Sequence, residues 1–559
     1  MKRAPADTPD PEDNLSAYAG RWVARVGGRV VAHGGTPEEA RRAAQAARYK
    51  ERVEVSFVLP SHLTLPPLVD AVRGALPPDQ PLYLVGGALR DALQGRLTHD
   101  LDFVVPQGGR RAARRVADAL KAAFYPLDDE RDIGRVVVTR ADGGRDVLDF
   151  AAFRGPDLEA DLRGRDFTVN ALAMDLRSGE IFDPLGGAAD LREKRLRACS
   201  PSALREDPVR VLRAVRHAAA LNLHILPETR QAIRDAAPLL TRVSPERVRD
   251  EFFRILESPR PATSLRALDL LDALPHFLPE LTEIKNVEQP PPHVSDVWRH
   301  TLRVLDHLEG LLALLSPHYD EEMAADLFNG LLVMRLGRYR RQLAEHLATA
   351  LTPDRSRRAL LFLAALYHDV AKPTSKTLDE DGRLRFWGHD KKGAEIASRR
   401  ARALRLSNEE IAYLKTVIRH HMRVHFLTNR LYRKGKHPSR RAVYRFFRHA
   451  AEAGVDIVLL SLADLRATYE HTLSQDHWAA CLDVSRTLLE NWWERPQEVV
   501  SPPPLLNGRD LIEALDLSPG PLVGELLDAV REAQAMGEVS TREEALAFSR
   551  RYLSERAGK

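Results

Sequence analysis

Asp100 and Asp102 stand two residues apart in DLDFVV, so on an extended chain both carboxylates project from one face. Two carboxylates placed in that way can hold a pair of Mg2+ ions roughly 3.5–4 Å apart, an arrangement suited to phosphate chemistry. A third carboxylate would complete the set, and Asp149 in VLDFAAF supplies it, because Leu148 and Phe150 take the opposite face of their strand. Ahead of these residues LYLVGG carries an apolar strand into Gly86 and Gly87, followed by the helical segment ALRDALQG. Glycines at a helix N-terminus let backbone N–H groups close on phosphate oxygens, with the positive end of the helix dipole behind them. An isolated strand aspartate is usually only a solvated residue. The glycine pair in front makes phosphate chemistry the stronger reading.

A second constellation lies far downstream. The segments VSDVWRHTL, LAALYHDVAKPTSKT, FWGHDKKGAEIA, VIRHHMRVHF and LLSLADLRATY carry widely spaced His and Asp positions. His368 and Asp369 follow the apolar run LFLAALY, where two polar side chains are costly to bury without a metal or partners. Cys199 and Cys481 are the only cysteines and lack a CxxC partner, which excludes a disulfide framework and a thiolate zinc site. Any metal must be held by oxygen and imidazole.

The elements that position these groups follow from periodicity. RWVARV and RVVAHG alternate around Gly27 and Gly28, a helix opens at Thr36 and Pro37, and VEVSFVLP follows, which predicts a small ββαβ module over residues 1–57. Residues 58–183 alternate strands with helices, including a helix through RRAARRVADALKAAF and strands in VVVTR and VLDFAAF, and predict a mixed-sheet head. Beyond Asp183 the 3.6-residue period continues to the end, interrupted by the proline clusters EQPPPH and VVSPPPLLNG. The predicted architecture is α+β and multidomain: the head, an all-α neck over 184–287, an all-α metal domain over 288–475 and a helical tail over 476–559.

Composition sets outer bounds. No run of 18 apolar residues occurs, so no transmembrane segment is expected, and MKRAPADTPDPEDN does not read as a secretory signal; the expected compartment is the cytoplasm. The net charge is +4, but the cations are 70 Arg and 13 Lys. Guanidinium forks grip phosphate bidentately, which is compatible with nucleic acid, although a codon bias toward Arg explains the same count. Oligomeric state is not legible.

The order of LVGGALRDALQG, DLD, GRDFTVNALAMD, FDPLGGAADL and REDPVRVLRAVRHA, with SPERVRDEFFRIL behind them, resembles the class II tRNA nucleotidyltransferase and poly(A) polymerase family over residues 80–260. The resemblance implies that Asp100 and Asp102 bind catalytic Mg2+ with Asp149 assisting, and that Gly86, Gly87 and Arg90 hold a nucleoside triphosphate. It further implies that Arg165 and Asp166 read the ribose hydroxyls, that Asn170 supports their loop, and that Asp207 and Arg210 pair with the edge of the incoming base. An Asp accepts from an exocyclic amine while an Arg donates, so the pair suits cytosine and, after adjustment, adenine. Arg210, Arg213 and Arg216 form one helix stripe that follows Asp207 and is expected to line the nucleotide pocket. Asp207 before Pro208 is also a common helix start.

Departures from the family pattern sharpen the expectation. Between Phe153-Arg154 and GRDFT the chain has only GPDLEADLR, where family members normally carry a longer loop. Its absence resembles members that add two cytidines and leave the terminal adenosine to another enzyme, so CC addition to tRNA from CTP is favoured over CCA addition using ATP as well. Ala160 and Gly164 also replace the family's usual Glu and Arg.

Residues 290–475 resemble the HD superfamily. By that resemblance His300, His368, Asp369 and Asp464 bind one divalent metal of unknown identity, and His389 with His420 or His421 a second. The activities implied are phosphodiester and phosphomonoester hydrolysis at RNA ends. Alternatives remain: an A-adding enzyme, a poly(A) polymerase, or an RNA-binding protein with only the HD domain active. The mixed charge of the tail after residue 505 favours tRNA over poly(A) synthesis.

Overall fold

Alternation decides which way the first strand of the site faces. In β5 (Asp100–Val105) Leu101 and Phe103 are buried while Asp100 and Asp102 are exposed, and in β8 (Arg145–Ala152) Leu148 and Phe150 are buried with Asp149 between them. β5 and β8 pair in parallel with Asp102 opposite Asp149 and Phe103 opposite Phe150, whose rings stack at 4.8 Å. Truncating either phenylalanine would cost about 3–5 kcal/mol, because each is fully buried in the layer that sets the register of the carboxylates.

The computed structural model describes residues 15–46, 52–60, 63–353 and 355–557. The N-terminal stretch read for a secretory signal, residues 1–14, lies outside the described residues. Two compact units result, Met1–Val243 with Leu271–Ala273 and Ser244–Leu270 with Leu274–Lys559.

In the first unit β1 (Trp22–Val26), β2 (Arg29–Gly34) and β3 (Glu54–Phe57) form a three-stranded sheet in the order β2-β1-β3, covered by α1 (Pro37–Ala46). Gly27 and Gly28 make the two-residue hairpin with φ of 58° and 85°, values that side chains with a Cβ resist.

The head comprises α2 (Leu68–Ala75), β4 (Tyr83–Val85), α3 (Gly87–Leu93), β5, α4 (Gly109–Leu120), β6 (Ala123–Asp128), β7 (Ile133–Thr139), β8, α5 (Leu158–Arg163), β9 (Ala173–Asp175) and β10 (Ile181–Phe182). Its seven strands run in the order β10-β9-β4-β5-β8-β7-β6, with β5 and β8 the parallel pair in an otherwise antiparallel sheet. One face packs Leu84, Leu101, Phe103 and Phe150 against Val116 of α4; the other packs Val85 and Val104 against Leu158 and Leu162 of α5. The helix predicted through Phe124 stops at Leu120, because Lys121 takes φ 52° and closes the last turn. The residues after it form β6, an edge strand, the one place in a sheet where Pro126 needs no N–H for a second neighbour. The unit then continues through α6 (Gly187–Arg192), α7 (Ala203–Glu206) and α8 (Arg210–Leu221).

The second unit is helical apart from two short hairpins among the described residues. Helix Ala453–Tyr469 is buried on every side from Ala453 to Leu465 and packs on helix Val297–Leu314, so polar residues within it face protein and not water. Helix Arg357–Tyr367 is almost entirely apolar and leads directly into His368 and Asp369. Beyond the second proline cluster Asn507 and Asp510 form a reciprocal cap that restarts the chain as a helix. Among the described residues no helix is long and apolar enough to cross a membrane.

Candidate active site and metal centre

The β4–α3 junction builds the floor of the head site. Gly86 has φ 70°, and a Cβ placed there would lie 3.2 Å from both Asp102 Oδ2 and Arg165 Nη1. The hydrogen in place of that side chain leaves a cradle between a carboxylate and a guanidinium, which suits a phosphate and its metal ions. Arg90 is buried beneath it, donating to Asn170 Oδ1 at 2.7 Å and to Asp91 Oδ1 and Oδ2 at 2.8 and 3.0 Å.

Asp100, Asp102 and Asp149 share one face of the sheet, on its adjacent inner strands β5 and β8. Asp102 opens to solvent through the mouth of the cleft yet is ringed by protein, and that burial lifts its pKa above the ordinary carboxyl range; Arg165 opposes the lift, while Asp149 and Asp100 add to it. Carboxylates that repel one another in this way are relieved by a divalent cation, so the donor set fits the Mg2+ pair expected from the spacing. Asp149 is not idle: Arg135 on β7 donates to both its oxygens at 2.8 Å.

Around this cradle the arginines and acids form a chain. Arg165 donates to the buried Asp161 at 3.0 and 3.2 Å, and Asp161 also accepts from the Arg154 N–H. Asp166 is buried, pairs with Arg213 at 2.7 Å and accepts from Asn170 and from the Phe167 N–H. Burial alone would raise its pKa, but Arg213, His217 and these hydrogen bonds outweigh it and hold the group well below the usual range. Arg210 is buried as well, and its guanidinium donates to the carbonyls of Ala203, Gly164 and Arg165 at 3.0, 2.9 and 3.3 Å. Asp207 sits between α7 and α8 with extended backbone, its carbonyl accepting from the Arg210 N–H; the cap position of α8 is Val209, without a side-chain cap.

The second centre is closed. The ligand atoms of His300, His368 and Asp464 lie within 4.8 Å of one another, as do those of Asp369, His389 and His421, and five of these six side chains are buried. Asp369 joins the two groups: Oδ2 lies 3.1 Å from His368 Nε2 and 3.5 Å from His300 Nε2, while Oδ1 lies 3.4 Å from His389 Nε2 and 3.9 Å from His421 Nε2.

Backbone contacts fix the tautomers. Nδ1 of His368, His389 and His421 faces the carbonyl three residues earlier at 2.7, 2.8 and 2.6 Å, which places the proton on Nδ1 and leaves the Nε2 lone pair pointing at the centre. His368 Nε2 and both ring nitrogens of His300 are buried without a hydrogen-bond partner among the described residues. Burial and the neighbouring His389 push His421 down to about 3, so it is neutral and able to ligate. Orphaned lone pairs converging on two carboxylates fit divalent metals. Asp464 is oriented by His425 Nε2 at 2.8 Å, and Lys372 Nζ lies 2.6 Å from Asp369 Oδ2.

Family models match along the chain: the poly A polymerase head domain over residues 82–197, "Probable RNA and SrmB-binding site of polymerase A" over 222–285, the HD domain over 333–451, tRNA nucleotidyltransferase domain 2 over 479–548, and a family of unknown function over 13–58. The A-adding tRNA nucleotidyltransferase of Deinococcus radiodurans is 36% identical over 495 residues, covering 87% of this chain and 99% of the relative. This chain belongs to the tRNA nucleotidyltransferase family. The CC-adding enzyme of Thermus thermophilus is 34% identical over 472 residues, covering 83% of this chain and 92% of its own. Among solved structures, a CCA-adding enzyme with CTP matches at a TM-score of 0.56 and 20% identity over 87% of this chain and 96% of that chain, which shows the shared fold.

In this nucleotidyltransferase the geometry separates the expected residues into those that meet and those that do not. Asp100, Asp102 and Asp149 come together with Gly86 and Arg165, and Arg90, Asn170, Asp166 and Arg213 form one connected network. The base-edge role implied for Arg210 meets a guanidinium already spent on three carbonyls, where it clamps the turn that carries Arg165. Likewise Asp166 faces inward to Arg213 and Asn170. Arg216 lies against His217 Nε2 at 3.5 Å. Of the two alternatives left open, His421 joins the candidate metal cluster; His420 is not part of it, and its ring meets His449 edge-on at 5.8 Å. Sequence reading missed Arg135, Asp161, Lys372 and His425. His425 could have been found, since it follows His421 by four residues and so shares its helix face.

Proposed function

We propose that this nucleotidyltransferase adds cytidines to the 3′ end of tRNA from CTP, stops before the terminal adenosine, and carries in its HD domain a second, metal-dependent hydrolase for phosphate esters at RNA 3′ ends. The setting would be the cytoplasm. One observation carries the nucleotide choice: only residues 153–157 link β8 to α5, with Asp157 accepting from the Ala160 N–H at 2.8 Å to open the helix at once. A connection this short and this firmly capped has no length with which to reshape the base pocket for a second nucleotide.

In this reading Gly86, Gly87 and Arg90 bind the triphosphate, and Asp161 orients Arg165 toward it. Asp166, Asn170 and Arg213 hold the ribose-facing loop in one conformation, and Asp207 with Arg210 shapes the base end of the pocket. Asp100 and Asp102 would hold divalent ions, Mg2+ in our reading, with Asp149 kept in place by Arg135. Such ions, when bound, activate a hydroxyl and stabilise charge on the transferred phosphate. The 3′-oxygen of the RNA bonds to the α-phosphorus of CTP as the bond to pyrophosphate breaks. In the HD domain, His300, His368, Asp369 and Asp464 would hold one divalent ion and His389 and His421, with the other oxygen of Asp369, a second.

Addition of A is the second reading, favoured by the 36% identity to a relative described as A-adding. The two are separated by incubating purified protein with tRNA transcripts that end at the discriminator base, one cytidine later and two cytidines later, with single labelled nucleotides and Mg2+. Two cytidines and no adenosine support CC addition. Extension of the two-cytidine transcript by A overturns it.

A further inference from the structure

From Ile411 to Ala451 the chain carries eleven Lys and Arg and not one Asp or Glu, although its net charge over 559 residues is only +4. The stretch spans helix Met422–Lys434 and helix Arg440–Ala450 and includes His421 and His425 of the metal centre. The face flanking those histidines is open. Phe426, one residue and about 100° around the helix from His425, is 66% exposed, and Arg430 and Arg433 follow it at four and seven residues on the same exposed stripe.

Beside Phe426 lies a groove of about 530 Å³ lined by Arg423, Arg445, Phe446 and Arg448. Its far wall is fixed: Arg445 pairs with Glu532 at 2.8 Å and Arg448 with Asp528, both on helix Pro521–Met536. Arg441 pairs with Glu532 and Glu538, and Lys415 with Glu395. Acids therefore neutralise the groove wall, while Arg430, Arg433, Lys434 and Lys436 make no ion pair among the described residues and leave the stripe cationic.

We propose that this stripe and groove bind single-stranded RNA, with Phe426 stacking on a base and Arg430 and Arg433 taking backbone phosphates, so that an RNA end is led to the metal centre that His421, at the cap of this helix, and His425, on its neighbouring face, serve. Interleaved guanidinium groups and an exposed aromatic ring suit a polymer of phosphates and flat bases. An acidic polypeptide offers charge but no base to stack. The inference deepens the hydrolase reading above by naming how its substrate is held, and it is tested by binding, independently of hydrolysis.

The full-length protein is titrated into a fluorescein-labelled single-stranded RNA of about 12 nucleotides over a series of salt concentrations. Phe426→Ala is expected to weaken binding about tenfold at fixed salt. Arg430→Glu with Arg433→Glu is expected to weaken it by more and to flatten the dependence of log affinity on log salt by about 0.7 for each phosphate no longer neutralised. Arg341→Ala, an exposed arginine on a different helix, Arg340–Ala348, serves as the comparison, and thermal melting establishes that each variant is folded. Affinity and slope matching those of Arg341→Ala in both folded variants would overturn the proposal, as would equal binding of a poly-glutamate peptide. Hydrolysis of bis(p-nitrophenyl) phosphate, a diester too small to span the stripe, reads the metal centre separately: its absence in the unaltered protein would sink the hydrolase reading while the RNA titration still decides this one.

Discussion

The two acidic centres of this chain are built in opposite ways. In the head, Asp100 and Asp102 are exposed on one face of the sheet, and the groups around them are arginines held by neighbouring acids, Arg165 by Asp161 and Arg135 by Asp149. In the HD domain the candidate ligands are buried, three imidazoles have their tautomers set by backbone carbonyls, and lone pairs converge. On the proposed reading, the head would assemble its metal site with substrate, whereas the HD centre would hold metal beforehand. Solvation is the physical reason. Asp100 and Asp102 still reach water, although the protein around Asp102 raises its pKa, while buried orphan nitrogens have no water to turn to and gain much from a cation.

The largest expected effect falls on the open site. Asp102→Ala should reduce cytidine addition at least about a thousandfold in a gel assay while tRNA affinity is retained; addition at a tenth of the normal rate would remove Asp102 from the reacting centre. On the closed side, His425→Ala frees Asp464 and should lower metal affinity about 10–100-fold, read by competition with a chelating dye. A smaller loss, about tenfold in kcat for addition, is expected from Arg135→Ala, because Asp149 loses both hydrogen bonds that aim it. An unchanged kcat would mean that Asp149 needs no orienting partner.

These residues also show what the sequence could and could not reveal. The DLD spacing was legible because a strand's two-residue period is local, and Asp100 and Asp102 do alternate with the buried Leu101 and Phe103; that Asp102 lies opposite Asp149 is set by the register of β5 against β8. Arg135 was not, because its contact with Asp149 depends on the register of β7 against β8. The overextended helix before β6 failed for another reason: LKAAF has good helix propensity, and only the left-handed turn at Lys121 ends it. In the HD domain the motif residues could be read in order, but the choice of His421 over His420 depends on which side of one helix turn faces helix Ala453–Tyr469. Arg210 shows the limit most clearly, since a family motif gives a residue's place and not where its donors point.

A buried acid in the head sharpens the comparison with the paired acids of the HD domain. Asp183 caps α6 through the N–H groups of Gly187 and Ala188, yet burial pushes its pKa up to about 7 against those hydrogen bonds. Its folded pKa lies above the ordinary value of 3.8, so its contribution is full at low pH and is lost as pH rises from about 4 toward 7. The first melting transition should fall across that window and level off above it, and Asp183→Asn should flatten the slope. A variant with the same slope as the unaltered protein would assign the pH dependence elsewhere. Because this is a stability effect alone, it is the smallest of the four in any assay of activity.

The most direct test of the contrast is metal retained after dialysis into metal-free buffer, counted by mass spectrometry on three proteins. Up to two ions per chain are expected for the unaltered protein, one for each ligand group, the same number for Asp102→Ala, and none for Asp369→Ala, which loses the carboxylate shared by both groups. Retention that falls with Asp102→Ala, or survives Asp369→Ala intact, would contradict the division into an open site and a preloaded one.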